Sequence, residues 1–228
     1  MDEQPRLFDF TEKGEGAGAF IVADANRQAI GLLEQWRSWP GGALALVGPE
    51  GSGKSHLAKL WAGEAGALVL TGRITASGAR EAFAARDGRL VLDNADRVQD
   101  DTTLMLVLDQ ARSEGGAVLL VGRASPAEWP AETPDLRSRF AALLTVGLGE
   151  PDEKLITELI RRLCRARFIE MKENVARYAV QHMERSFAAA HALVEEIDNL
   201  MTEGSQPVPY DIAAEALRRL ERREPAGP

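Results

Sequence analysis

Apolar residues along this chain fall into two rhythms. Over residues 43–47, 67–70, 90–92, 118–121 and, more weakly, 143–146 they come as short uninterrupted runs. Stretches with helical spacing separate most of these runs. Short apolar runs alternating with helices predict a parallel sheet covered on both faces, because such strands are buried from two sides. Past Pro151 the rhythm changes. Leu155, Ile156, Leu159, Ile160 and Leu163 recur with helical spacing, Val175, Tyr178 and Ala179 open another helix, and two more follow over 187–201 and 212–220. No strand is expected beyond residue 152.

Ahead of the first run, Asp24 is placed to cap a helix reaching about Trp39, with Ala29, Leu32, Leu33 and Trp36 on one stripe. Pro40-Gly41-Gly42 ends it. Residues 1–19 are polar, with Gly14, Gly16 and Gly18 closely spaced, and read as a flexible tail. The expected organisation is therefore a tail over 1–19, an α/β domain over 20–150 and a small all-α domain over 151–228, frayed after residue 223.

Composition narrows the function classes. The 228 residues are 45% hydrophobic and 27% charged, ordinary for a globular protein large enough to bury a core. A net charge of −8 disfavours autonomous, non-specific nucleic-acid binding, which draws on released counterions. A local basic patch is possible, for example Arg161, Arg162, Arg165 and Arg167, and is read as a solvated helix face. The single cysteine, Cys164, excludes an intrachain disulfide and sits where a small core residue is expected. Neither a signal peptide nor a membrane-spanning window is visible, so a cytoplasmic protein is expected. His56, His182 and His191 show no metal-binding spacing. Trp36, Trp39, Trp61 and Trp129 read as packing residues, without the basic interleaving of a base-stacking surface.

The strongest chemical signal is Gly48-Pro49-Glu50-Gly51-Ser52-Gly53-Lys54-Ser55, which satisfies G-x-x-x-x-G-K-[ST] between an apolar run and a helix starting near His56. The glycines let backbone N–H groups curl inward around phosphate oxygens, and the next helix adds its positive end. Lys54 is expected to reach the β- and γ-phosphates, Ser55 to ligate Mg²⁺, and His56 to complete the nucleotide-binding set over 48–56. The run Leu90-Val91-Leu92-Asp93 is an apolar strand ending in an acid, so Asp93 is the second expected Mg²⁺ partner, with a turn residue as the plain alternative. Asn94 follows, where many P-loop ATPases carry a glutamate. A carboxamide orients water but cannot take its proton, and Asp96 is the nearby substitute. Bound ADP or ATP with Mg²⁺ and at most weak intrinsic hydrolysis is the expectation.

An α/β core with these two motifs and a helical domain behind it resembles the AAA+ family, P-loop NTPases with a parallel sheet and an all-α lid. Asp135-Leu136-Arg137-Ser138-Arg139-Phe140 resembles the L-x-S-R-F box of the DnaA-related branch. The resemblance implies that Arg139 is an arginine finger reaching the ATP of an adjacent subunit. Arg137 is a second candidate, and a structural ion pair for Arg139 is the alternative. The chain lacks room for DnaA's flanking domains and resembles the regulatory inactivators within that branch. Two positions depart from the initiator pattern. Arg123 or Ser125 stands where a short polar sensor is usual, and Ala188 or Ala189 falls where the lid carries an arginine, one turn past Arg185.

In that context Gln4-x-x-Leu7-Phe8 resembles the pentapeptide by which bacterial proteins bind the replication sliding clamp. A groove can bury Leu7 and Phe8 while the Gln4 amide hydrogen-bonds beside them. Packing of both back onto the domain is the alternative. The implied partners are the polymerase III sliding clamp (β subunit) and DnaA, with DNA met through the clamp, no membrane, and homo-oligomerisation left open. The implied function is stimulation of hydrolysis of DnaA-bound ATP, which prevents re-initiation. An ATP-hydrolysing helicase loader, distinguished by robust turnover of its own, and a non-enzymatic clamp adaptor, indifferent to loss of Lys54, are the alternatives.

Overall fold

The structure, a computed structural model, describes residues 22–71, 74–98, 100–112, 116–201 and 206–223. Gln4, Leu7 and Phe8, and the residues after 223, lie outside the described residues. Two compact units meet in sequence between Gly149 and Glu150.

In the first unit, helix α1 (Asp24–Glu34) precedes strand β1 (Ala43–Val47). Then come α2 (Lys54–Ala65), β2 (Leu68–Thr71), α3 (Ala76–Ala85), β3 (Arg89–Asp93) and α4 (Asp101–Ala111). The unit closes with β4 (Ala117–Gly122), α5 (Pro134–Ala141) and β5 (Leu144–Gly147). The strands form one parallel sheet of order β2-β3-β4-β1-β5. Its register explains the continuous apolar runs. Ala43, Ala45, Leu90, Leu92, Val118 and Leu120 project to one face, where they meet Phe83 of α3, Leu104 and Val107 of α4, and Leu136 and Phe140 of α5. The alternate residues Leu44, Leu46, Val91 and Leu119 are equally buried on the other side. Each such leucine or valine contributes roughly 1.5–3 kcal/mol by leaving water.

The first helix is shorter than its apolar stripe suggests. It ends at Glu34, and the chain continues through 3₁₀ turns at Trp36–Ser38 and Pro40–Gly42. Pro40 disfavours helical geometry at the residue before it, and Trp39 is extended (φ −61°, ψ 129°). The stripe still points inward: Trp39 stacks on Trp61 at 5.2 Å, Trp36 meets Trp61 edge-on at 6.4 Å, and Trp39 Nε1 donates to the Leu32 carbonyl at 2.7 Å. Any capping by the Asp24 side chain lies outside what the structure describes.

Helix α4 carries a well-made N-cap. Asp100 Oδ1 accepts from the backbone N–H groups of Thr102 and Thr103 at 3.0 and 3.2 Å, and Oδ2 accepts from the buried Thr103 hydroxyl at 2.6 Å. The hydroxyl bond, ahead of the backbone bonds, holds the Asp100 carboxyl below its ordinary pKa. Asp100→Ala is expected to lower unfolding free energy by about 1–2 kcal/mol in chemical denaturation at neutral pH. The difference should shrink as pH falls through the folded-state pKa, below the unfolded value near 3.9, where protonation already weakens the wild-type cap.

The second unit is all-helical over its described residues: α6 (Glu153–Ala166), α7 (Glu173–Gln181), α8 (Phe187–Leu200) and α9 (Tyr210–Arg223). They enclose a core of Ile156, Ile160, Leu163, Ala179, Leu193, Val194, Ile197 and Ala216. Cys164 is buried there as expected, and burial pushes its thiol up to about 11. The basic cluster is not a plain solvated face. Arg161, Arg165 and Arg167 pair with Glu173, Glu158 and Asp198 at 2.9, 3.2 and 3.8 Å, while Arg162 is buried, because α6 turns it with the apolar side. No helix among the described residues is long and apolar enough to cross a membrane.

Candidate functional site

Beyond β1 the chain turns at once into the loop over residues 48–53. Gly48, Gly51 and Gly53 have φ of 151°, 75° and 89°, values that L side chains rarely adopt. At Gly48 space is closed as well, since a Cβ would lie 2.2 Å from the Leu148 carbonyl oxygen. Leu148 is in turn fixed by its N–H, which donates to the Val47 carbonyl at 2.7 Å. Gly53 precedes α2 directly, so the free N–H groups of that helix face the loop.

Lys54 is buried at 8% exposure, and its Nζ donates to the Pro49 carbonyl at 2.6 Å and to Ser52 Oγ at 3.4 Å. Burial lowers its pKa most and Arg123 adds to that, against the raising influence of Asp93, Asp96 and Glu50. Ser55 Oγ donates to Asp93 Oδ1 at 3.2 Å, so the two expected Mg²⁺ partners already touch. His56 lies in the first turn of α2 and is exposed.

Next to Asp93 the backbone takes a left-handed step at Asn94 (φ 59°, ψ 43°), whose N–H donates to Asp93 Oδ1 at 3.0 Å while its side chain is exposed. Asp96 Oδ2 accepts the Arg123 N–H at 3.0 Å. Its Oδ1 is buried and makes no hydrogen bond, an acceptor left open beside Lys54. Left-handed glycines, of which Gly48 admits no Cβ, a buried ammonium, a paired serine and aspartate, and an open acceptor together fit a nucleotide's phosphates with Mg²⁺. The loop N–H groups and Lys54 would hold the phosphates, and Ser55 and Asp93 the ion. No cluster of three metal-binding His, Cys, Asp or Glu occurs among the described residues.

Arg139 lies elsewhere. With Pro40, Gly41, Ala43, Leu108 and Arg112 it lines a cavity of about 240 Å³. Ala43 opens β1, whereas the phosphate loop follows its last residue, Val47. The cavity therefore sits at the opposite end of the sheet. Helix α5, which carries Arg139, is tied to α4 twice. Asp101 Oδ2 accepts from the N–H groups of Glu132 and Thr133 and from the Thr133 hydroxyl, at 3.0, 2.7 and 2.7 Å. Farther along, Arg139 pairs with Asp109 of α4 and, at 3.5 Å, with Asp135. The Asp109 hydrogen bond is the first cause of a raised Arg139 pKa. Arg137 instead donates to the Ala131 and Glu132 carbonyls at 3.1 and 3.0 Å.

In the lid, Ser186 Oγ accepts from Ala189 N–H at 3.0 Å, capping α8 and placing Ala188 and Ala189 in its first turn. Arg185, just before, approaches Glu153 at 4.0 Å. Asp101, Asp109 and Arg112 were not singled out by the sequence. Their only signal there is position on the polar side or end of α4.

No family model matches the chain, and no curated protein matches it in sequence. Solved structures share its fold. Domain III of the Thermotoga maritima replication initiation protein DnaA superposes with a TM-score of 0.70 at 17% identity, covering 91% of this chain and 97% of that one. The Thermotoga maritima RuvB Holliday junction branch migration motor gives 0.70 at 18%, covering 91% and 72%. A replication initiator DnaA bound to AMPPCP and single-stranded DNA gives 0.62 at 20%, covering 94% and 70%. The sheet order and trailing helices are thus of the AAA+ type.

Proposed function

We propose that this chain is a nucleotide-holding regulator of the type named Hda, which docks on the DNA-loaded sliding clamp and stimulates hydrolysis of ATP bound to DnaA. Gln4, Leu7 and Phe8 supply the docking peptide, residues 48–55 with Asp93 hold ADP or ATP with Mg²⁺, and Arg139 is the group offered to the neighbour. The observation that carries this reading is the separation of Arg139 from its own phosphate loop. β1 alone, five residues long, puts roughly 13 Å between the two ends of the sheet. An arginine there cannot serve the chain's own nucleotide and is free to serve another chain's.

In the neighbour's pocket the Arg139 guanidinium neutralises charge on the terminal phosphoryl oxygens as the leaving group departs. To do so it exchanges Asp109 and Asp135 for phosphate. Both acids are more than half exposed, so each pair is worth no more than about 1 kcal/mol and gives way readily. The chain's own hydrolysis is slow in this reading, because Asn94 cannot accept a proton.

The reading is tested by measuring hydrolysis of DnaA-bound ATP with and without clamp loaded on DNA. Full-length protein is expected to stimulate only with clamp. Deletion of residues 4–8 is expected to reduce that stimulation by about tenfold or more, through lost effective concentration. Equal stimulation by the deletion variant would reject the docking role.

A further inference from the structure

An ion pair stands at the mouth of the phosphate loop. Arg123 Nη2 lies 2.7 Å from Glu50 Oε2. Glu50 occupies one of the four open positions of the glycine-lysine motif, and Arg123 is the first residue after β4. The base of Arg123 is rigid. Its N–H is held by Asp96, and the Trp129 ring closes over Gly122, where a Cβ would come within 2.5 Å of it. Trp129 is itself fixed by donation from Nε1 to the Ala124 carbonyl at 2.8 Å. Only the Arg123 side chain, 46% exposed, has freedom to change partners. Because β4 lies between β3 and β1, that side chain leaves the sheet between Asp93 and the phosphate loop. Lys54 feels its charge there.

We propose that Glu50 is an internal stand-in for the terminal phosphate of a nucleoside triphosphate: it holds Arg123 when no third phosphate is present and yields it when one arrives. The proposal rests on the reading of residues 48–55 as a nucleotide cradle. A diphosphate gripped by the loop N–H groups and Lys54 leaves Arg123 on Glu50. A triphosphate brings a second anion to the same guanidinium, so the new contact is offset by the one given up. The pair therefore narrows the margin by which the site prefers triphosphate over diphosphate. At 78% exposure the Glu50 carboxylate is well solvated, so the exchange is easy in both directions.

Calorimetric titration of the full chain with Mg-ATP and Mg-ADP tests this, using wild type, Glu50→Gln, Arg123→Gln and the double variant. Glu50→Gln keeps the backbone N–H of the loop and alters only the side chain, so it is expected to tighten ATP by about threefold, the scale of one surface pair, and to shift ADP by much less than that. Arg123→Gln is expected to weaken ATP by about tenfold or more, the loss of one charge-assisted contact, and ADP by less than about twofold. In the Arg123→Gln background, Glu50→Gln should no longer affect ATP. If Glu50→Gln shifts both nucleotides equally, shifts neither, or acts the same without Arg123, the stand-in role is wrong while the cradle survives. If the wild type binds neither nucleotide, the cradle reading falls and the proposal with it.

Discussion

Arg139→Ala is expected to cut the rate at which clamp-bound protein stimulates hydrolysis of DnaA-bound ATP by roughly 10³-fold or more, the scale of arginine fingers supplied in trans. The fold should be indifferent to the change. Helix α5 is held by its own N-cap, Thr133 Oγ1 accepting from Leu136 N–H, by the three bonds to Asp101, and by burial of Leu136 and of Phe140, which meets Trp129 edge-on. Losing the pairs to Asp109 and Asp135 removes only surface electrostatics, so unfolding free energy should change by no more than about 1 kcal/mol. The loss should appear in the maximal rate and not in the concentration for half-stimulation, since a finger acts on the transition state more than on docking. Arg139→Lys keeps charge without the planar fork and should recover only part of the rate. A variant lacking Arg139 that stimulates at the full rate would remove the central claim.

The sequence carried the sheet and the phosphate loop because both are local. A strand buried on two faces must be apolar throughout, and a loop with left-handed backbone at 48, 51 and 53 favours glycine at those positions, so 43–47 and 48–55 announce themselves. Strand ends were shifted by a residue or two, as at Leu68–Thr71 and Ala117–Gly122, because ladder pairing rather than hydrophobicity sets them. Helix α1 stops short of its apolar stripe because Trp36 and Trp39 keep facing the core after the helix has become 3₁₀ turns. Arg162 departs from the solvated face expected of its cluster because it shares the inner side of α6 with Leu163 and Cys164, while Arg161, Arg165 and Arg167 stay partly or largely exposed. What stayed illegible was pairing between elements. Nothing near Asp109 in sequence says that α5 will lay Arg139 on it, and nothing near Glu50 says that β4 will end beside it. Such contacts depend on strand order, which periodicity does not encode.

Lys54→Met should separate binding from stability. The unliganded wild type keeps a buried ammonium turned back onto its own loop, with a pKa held below the ordinary value chiefly by burial. For a base, a depressed folded-state pKa means the unfolded chain binds more protons between the two values. Stability therefore rises with pH through that window, and at neutral pH the full cost of burying the charge is present. An unbranched apolar chain of similar length removes that cost and fills the same space. The unliganded melting temperature should be equal or higher. Ligand response should vanish, because the phosphates lose their one buried cation; an affinity loss of at least about 100-fold is expected. With nucleotide at about 100 times its Kd, wild type gains about 2.7 kcal/mol, an increase of about 5–10 °C for a chain of this size. The variant at the same concentration should gain no more than about 0.4 kcal/mol, or about 1–2 °C, by the same relation. A Lys54→Met protein whose melting temperature climbs with Mg-ADP as far as the wild type's would show that nucleotide is held without Lys54, and that residues 48–55 are not the cradle proposed. A variant that melts well below the unliganded wild type would show instead that the ammonium holds the loop together, and that the pKa direction argued here has the wrong sign.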